Sequence, residues 1–257
     1  MASWDAQQYL KFAEERARPC AELIQRISLE SPGVIVDMGC GPGNSTAMLV
    51  RRWPQAHITG MDSSADMIAT ARRSYPHQHW IEADISTWQS PHRLDLIFSN
   101  AALQWVDNHA ALLPRLMNML NPAGALAVQM PPNDHSAAAH TLISELAASG
   151  PWRDKFPVPV RRWYCHELEF YYDLLSTQST RLDLWTSQYI HILNSASDIV
   201  EWYKGTGLRP YLDALPPADR EAFITAYRNL VTTAYPPQRD GRVLFAFRRL
   251  FLIAYKR

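Results

Sequence analysis

Between Val34 and Ser45 the chain reads VIVDMGCGPGNS. An apolar run that carries an aspartate near its end gives way to glycines at alternate positions, Gly39, Gly41 and Gly43. A short, continuous apolar run closed by a turn reads as a strand buried on both faces. Such a strand needs helices on both sides. The next hundred residues keep to this pattern. Residues 34–38, 57–62 (HITGMD), 79–84 (HWIEAD), 94–100 (LDLIFSN) and 124–130 (GALAVQM) read as strands. Residues 45–53, 65–73 and 108–120 have helical spacing between them. Right-handed crossovers then put the carboxyl ends of the strands on one edge, where ligands bind at the switch in strand order.

Past residue 130 the alternation loosens. Helices are expected over 136–148, 168–176, 197–204 and 217–235, and strands over 181–193 and 241–257. The expected fold is therefore α/β, a doubly wound, mostly parallel seven-stranded sheet with helices on both faces and helical cap insertions. It is read as a single domain of 1–257. The core is 30–130, 166–193 and 240–257; the cap comes from 1–29, 131–165 and 194–239, with proline-rich joints at PPN, FPVPV and YPPQ. The N-terminal segment has helical spacing through Leu10, Ala13, Ala17, Leu23 and Ile27, and Pro19 is expected to kink or divide it.

Composition narrows the function. Lys+Arg and Asp+Glu balance at 25 each, which argues against a nucleic-acid partner, since phosphate neutralisation needs a basic surface. The three cysteines show no CxxC spacing, and no histidine cluster has metal-ligand spacing, so neither a disulfide framework nor a metal is expected. No run approaches the roughly 20 apolar residues of a membrane span. The first residues lack a signal-peptide core, so a cytoplasmic location is expected.

The glycines invite a dinucleotide reading, but its fingerprint is GxGxxG. Counted from Gly39 the last glycine falls at Asn44, and from Gly41 at Thr46, so both frames fail. The sequence VDMGCGPGN, with its aspartate before GxGxG, resembles the first motif of class I S-adenosylmethionine-dependent methyltransferases. The resemblance implies S-adenosyl-L-methionine as cofactor, S-adenosyl-L-homocysteine as product, and a Rossmann-like fold. Asp37 would then face the methionine ammonium, with Gly39, Cys40, Gly41, Gly43 and Asn44 along the tail and ribose. Asp62 would accept the ribose hydroxyls, with Ser63 and Met67 nearby and Met67 against the adenine. Asp84 would accept from the adenine amino group and Ile85 would cover the ring. Asn100, Gln104 and Trp105 would line the floor beneath the methyl group. Taken singly, Asp62 also suits a helix cap, and Asp84 a turn.

No catalytic base is assigned. A carboxylate acceptor needs none, because with a pKa of about 4 it is ionised at neutral pH. Catalysis is then alignment, and an acidic small-molecule substrate calls for arginines. The segments WDAQQYLKFAEERARP, ITGMDSSADMIATAR, LDLIFSNAALQWVDNH and TGLRPYLDAL resemble the trans-aconitate 2-methyltransferase family, and LFAFRRLFLIAYKR extends the similarity to the last residue. That resemblance implies a monomethyl ester formed on a tricarboxylic acid. Arg209 is the first candidate for a substrate carboxylate. Arg16 and Arg18 are candidates for the methionine carboxylate or the substrate, with Tyr9 in the same lid. Trp105 and Tyr203 are candidate pocket walls. Arg242, Arg248 and Arg249 are assigned to the exposed face of the last strand. Methylation of carbon or nitrogen on another metabolite, and methyl-donor binding without catalysis, remain as alternatives.

Overall fold

The computed structural model describes residues 13–132, 138–156 and 163–257. The strands are β1 Val34–Met38, β2 His57–Asp62, β3 His79–Glu82, β4 Leu94–Asn100, β5 Leu120–Met130, β6 Ser179–Leu193 and β7 Val243–Lys256. The helices are α1 Ala13–Arg26, α2 Asn44–Arg52, α3 Ala65–Ser74, α4 His109–Met119, α5 Ala138–Ala148, α6 Leu168–Leu175, α7 Ala196–Lys204, α8 Arg209–Ala214 and α9 Pro217–Ala234. The sheet order is β3-β2-β1-β4-β5-β7-β6. The first five strands pair in parallel, and β7 runs antiparallel to β5, with Ala125 opposite Tyr255 and Met130 opposite Leu250. This is the expected doubly wound α/β sheet. Strand order reverses between β1 and β4, so their carboxyl ends flank the crevice where ligands bind in such sheets.

Both faces of the central strands are apolar because both are covered. Met38, Ile97 and Leu126 share one cluster with Leu112, Leu113 and Leu116 of α4. On the β2–β3 side, Cys40 and Trp80 pack with Ile68 and Ala71 of α3. The start of β1 is set by Asp95, whose Oδ2 accepts the backbone N–H of Gly33 (2.7 Å) and Val34 (3.0 Å). Its Oδ1 accepts from Asn121 (2.8 Å), tying β1 to the entry of β5.

Several expectations are corrected. Pro19 does not divide the N-terminal helix; it lies inside α1. Cys20, Leu23, Ile24 and Ile27 are buried along that helix and its end, and this burial offsets the missing backbone bond. β3 stops at Glu82, short of Asp84, whose Oδ1 takes the N–H (2.8 Å) and hydroxyl (2.7 Å) of Ser86 and so closes a turn. β5 begins earlier than expected, at Leu120, and passes through Ala123 at φ 63°. Arg249 is buried, not exposed, because β7 there enters its doubly covered half beside β5.

The chain divides into two compact units. Among the described residues the larger holds 14–132, 163–187 and 249–257, and the smaller holds Ala13, 138–156 and 188–248. The line falls inside β6 and β7 rather than at their ends, and α1 goes with the sheet rather than with a cap. In the smaller unit α9 packs on α5 and α7, and the Tyr227 hydroxyl donates to the Ala139 carbonyl (3.0 Å). Trp202, Tyr203, Phe223 and Phe245 fill its core.

Candidate functional site

β1 hands over to α2 through Gly39 (φ 73°), Gly41 (φ 55°) and Gly43 (φ 98°), all left-handed. The N–H groups of Gly39 and Cys40 both reach the Met61 carbonyl (2.7 and 2.9 Å), which pins the turn to the end of β2. The glycines are not equivalent. A Cβ on Gly39 would lie 2.1 Å from the Ala102 Cβ, and one on Gly43 would lie 2.7 Å from Trp80. Those two allow close packing. Among the described residues a Cβ on Gly41 would meet nothing within 4 Å, so its bare side is open to them. That is the side on which a ligand can lie against the backbone.

Asp37 is fully buried under this turn. Its Oδ2 accepts from the hydroxyls of Ser45 and Thr46, both at 2.6 Å, in the first turn of α2. Its Oδ1 is buried with no hydrogen-bond partner among the described residues. Burial lifts its pKa from 3.8 to about 6, against the lowering pull of the two hydroxyls, and the nearby Asp62 carboxylate adds to the rise. A buried carboxylate with one unpartnered oxygen is costly to ionise unless a cation or donor pairs with it.

Asp62 ends β2. Its Oδ2 accepts the Gly41 N–H (3.0 Å) and its Oδ1 the Ser64 N–H (2.9 Å), and burial raises its pKa. Each oxygen keeps lone-pair capacity for a hydroxyl. Ser64 caps α3 by accepting the Met67 N–H, so Met67 is placed beside the same strand end. Trp80 lies over Gly60, where a Cβ would come within 2.3 Å of its ring, and the same ring backs Gly43. After β4 the chain turns at Ala101 (φ 56°), whose N–H reaches the Gln129 carbonyl of β5 (2.8 Å). Asn100 Oδ1, Gln104 Oε1 and Gln129 Nε2 are all buried around this strand edge without partners among the described residues.

Residues 35–124 match a family model described as a methyltransferase domain. A trans-aconitate 2-methyltransferase of Azoarcus sp. (strain BH72) is 46% identical, covering 100% of both chains. One of Rhodopseudomonas palustris (strain BisB18) is 48% identical over the full length of both. The chain belongs to the trans-aconitate 2-methyltransferase family. Among solved structures, the YcgJ protein of Bacillus subtilis has the same fold, with a TM-score of 0.61 at 14% identity, covering 93% of this chain and 98% of that one.

The family frame lets each expected residue be located. Asp37, Gly39, Cys40, Gly41, Gly43, Asn44, Asp62, Ser63, Met67, Asp84, Ile85, Asn100, Gln104 and Trp105 all fall in the larger unit, at or just beyond the carboxyl ends of β1 to β4. The Cys40 thiol is buried, and burial holds its pKa well above the usual range, so it contributes backbone rather than chemistry. Asp84 is exposed and committed to Ser86. Arg18 is exposed on α1; for Arg16 only the backbone is described, and Tyr9 lies outside the described residues. Arg209 and Tyr203 belong to the smaller unit. Tyr203 is 1% exposed, against Tyr227 and Phe245, and is a core residue rather than a wall. Arg209 opens α8 and pairs with Asp213 at 3.7 Å. No group of side chains suited to a metal occurs among the described residues, and none of their helices is long and apolar enough to cross a membrane.

Sequence reasoning missed Ser45 and Thr46, Trp80 with Gly60, and the contact of Ala102, within the stretch 100–105 expected at the floor, with Gly39. Hydroxyls eight and nine residues after the aspartate were the available signal for the first pair. The others become neighbours only through the sheet.

If Asp37 meets the ammonium of a methyl donor, binding carries a pH signature. The cation favours the ionised carboxylate, whereas burial favours the protonated one. Affinity for S-adenosylhomocysteine is expected to hold above about pH 6.5 and to weaken towards tenfold per pH unit as pH falls below about 6. Titration calorimetry from pH 5 to 8 measures this; a flat profile removes Asp37 from the binding site.

Proposed function

We propose that this protein transfers the methyl group of S-adenosylmethionine to a carboxylate oxygen of trans-aconitate, giving the monomethyl ester and S-adenosylhomocysteine. The supporting observation is the buried Asp37 carboxylate, with its orphaned Oδ1, beneath a glycine turn open at Gly41. The acceptor is read from the full-length similarity to trans-aconitate 2-methyltransferases. A cytoplasmic location and the absence of a nucleic-acid partner are part of the same reading.

Asp37 takes the ammonium, directly or through water. Gly39 to Asn44 carry the tail, Asp62 accepts the ribose hydroxyls beside Ser63, and Met67 and Ile85 enclose the adenine whose amino group Asp84 accepts. Asn100, Gln104 and Trp105 hold the acceptor side. The bound sulfonium supplies an activated methyl group. The chain supplies alignment and exclusion of water, with no proton to remove from an ionised acceptor. Arg209 is proposed to grip a second carboxylate of the substrate, and Arg18, Arg16 and Tyr9 to act towards either ligand.

Incubation with methyl-labelled S-adenosylmethionine and trans-aconitate tests the reading. Label that mild base releases as methanol marks a carboxyl ester. Label that stays fixed points to carbon or nitrogen methylation, and binding without transfer points to a non-catalytic protein. Arg209→Ala is expected to raise the trans-aconitate KM by about 10- to 100-fold, the range of a charge-assisted pair. It should change S-adenosylhomocysteine affinity by less than about twofold. An unchanged KM removes Arg209 from the substrate site.

A further inference from the structure

The turn after β4, Ala101–Val106, is held by a buried relay that the proposed reaction does not itself use. His109 is fully buried at the start of α4. Its Nε2 lies 2.9 Å from the Leu103 carbonyl and its Nδ1 lies 2.9 Å from the Tyr171 hydroxyl of α6. A carbonyl can only accept, so Nε2 carries the proton, Nδ1 accepts, and the Tyr171 O–H donates. The Tyr171 oxygen in turn accepts the His166 N–H at 3.1 Å. The directions are mutually consistent, and Met130 Sδ lies 3.9 Å from the same hydroxyl as a weaker second acceptor. Burial lowers the His109 pKa, in keeping with the neutral ring this direction requires.

The same turn needs holding. It is entered at Ala101, a non-glycine residue at φ 56°, a conformation that an alanine keeps only where its surroundings enforce it. The segment just before α6 completes the grip. Tyr164 N–H donates to the Gln104 carbonyl (2.9 Å), and Trp163 meets Trp105 edge to face at 5.9 Å. Gln104 and Trp105 are thus held by Tyr164 and Trp163, while Ala102 of the same turn abuts Gly39.

We infer that His109 and Tyr171 are positioning residues that set the Leu103–Trp105 turn, and through it the geometry with which the acceptor carboxylate meets the methyl group. This rests on the acceptor reading above.

Tyr171→Phe removes one hydroxyl and keeps the shape. It is expected to raise the trans-aconitate KM about tenfold, to leave S-adenosylhomocysteine affinity within about twofold, and to speed amide exchange across 101–106 about tenfold, as for one lost buried hydrogen bond. Tyr227→Phe, which deletes a buried tyrosine hydroxyl in the smaller unit, is the control. It should lower Tm comparably without moving KM or that exchange. The inference is overturned if Tyr171→Phe behaves like the control, or if methyl-donor affinity and acceptor KM shift together. If the unaltered protein fails to methylate trans-aconitate, the acceptor reading fails instead. Exchange across 101–106 then decides whether the relay holds the turn.

Discussion

Asp37→Asn is expected to weaken S-adenosylhomocysteine binding about 10- to 100-fold at pH 7 without lowering the Tm of the ligand-free protein. The two effects have opposite signs for one physical reason. A carboxylate buried under the glycine turn, with Oδ1 unpartnered, is costly to ionise, and burial has moved its pKa from 3.8 to about 6. A folded-state pKa raised above the unfolded value contributes stability that is full below about pH 4 and is lost as pH rises through about 6. At neutral pH the ionised side chain therefore costs the ligand-free fold on the order of 3 kcal/mol. Asparagine removes that charge and still accepts from Ser45 and Thr46. Its amide brings a buried N–H without an acceptor, worth about 1–3 kcal/mol, which offsets part of the gain. The Tm at pH 7 should be unchanged or higher, and the advantage over aspartate should shrink towards pH 5. Binding loses the ionic hydrogen bond to an ammonium, worth about 1.5–3 kcal/mol. Scanning calorimetry with and without ligand, at both pH values, checks all three statements. A variant that binds normally would mean that the orphaned oxygen serves only the fold.

Gly39→Ala and Gly41→Ala, two residues apart, should fail in different ways. At Gly39 the new methyl group would stand 2.1 Å from the Ala102 Cβ, an atom fixed to backbone and unable to swing aside. Left-handed strain of about 1–2 kcal/mol adds to overpacking of about 1–3 kcal/mol. At roughly 2–4 °C per kcal/mol for a chain of this size, Tm should fall by about 10 °C. At Gly41 only the conformational cost applies, because none of the described residues lies within 4 Å of the added Cβ. Its Tm should drop by only a few degrees, yet its methyl group projects into the space assigned to the ligand, so binding should be lost. If Gly41→Ala binds S-adenosylhomocysteine like the unaltered protein, the ligand does not lie along that side of the turn.

Much of this arrangement was legible in the chain. Strands that bury both faces are apolar throughout, so β1, β2, β4 and much of β5 stood out without neighbours being known. Asp37, the three glycines and Asp62 were found because a strand that ends at a bound ligand places its special residues at a fixed point, its carboxyl end. Pro19 misled because propensity is local, whereas the buried face of α1 is a tertiary gain. Arg249 and Tyr203 misled in the opposite way. Residue type suggested surface or pocket, but strand pairing and helix packing enclosed them.

The amino-acid order by itself determined the alternation of elements, the sheet class, the glycine turn and the acidic residues around it, since each rests on the identity or spacing of neighbours along the chain. Only the tertiary structure decided which glycine faces open space and which is pressed against Ala102 or Trp80. Only it showed that Asp37 keeps one oxygen unpartnered, and that His109 and Tyr171 meet behind the turn carrying Gln104 and Trp105. These depend on residues distant in sequence being brought within van der Waals reach, and neither burial nor close contact is a property of a residue until the sheet has formed.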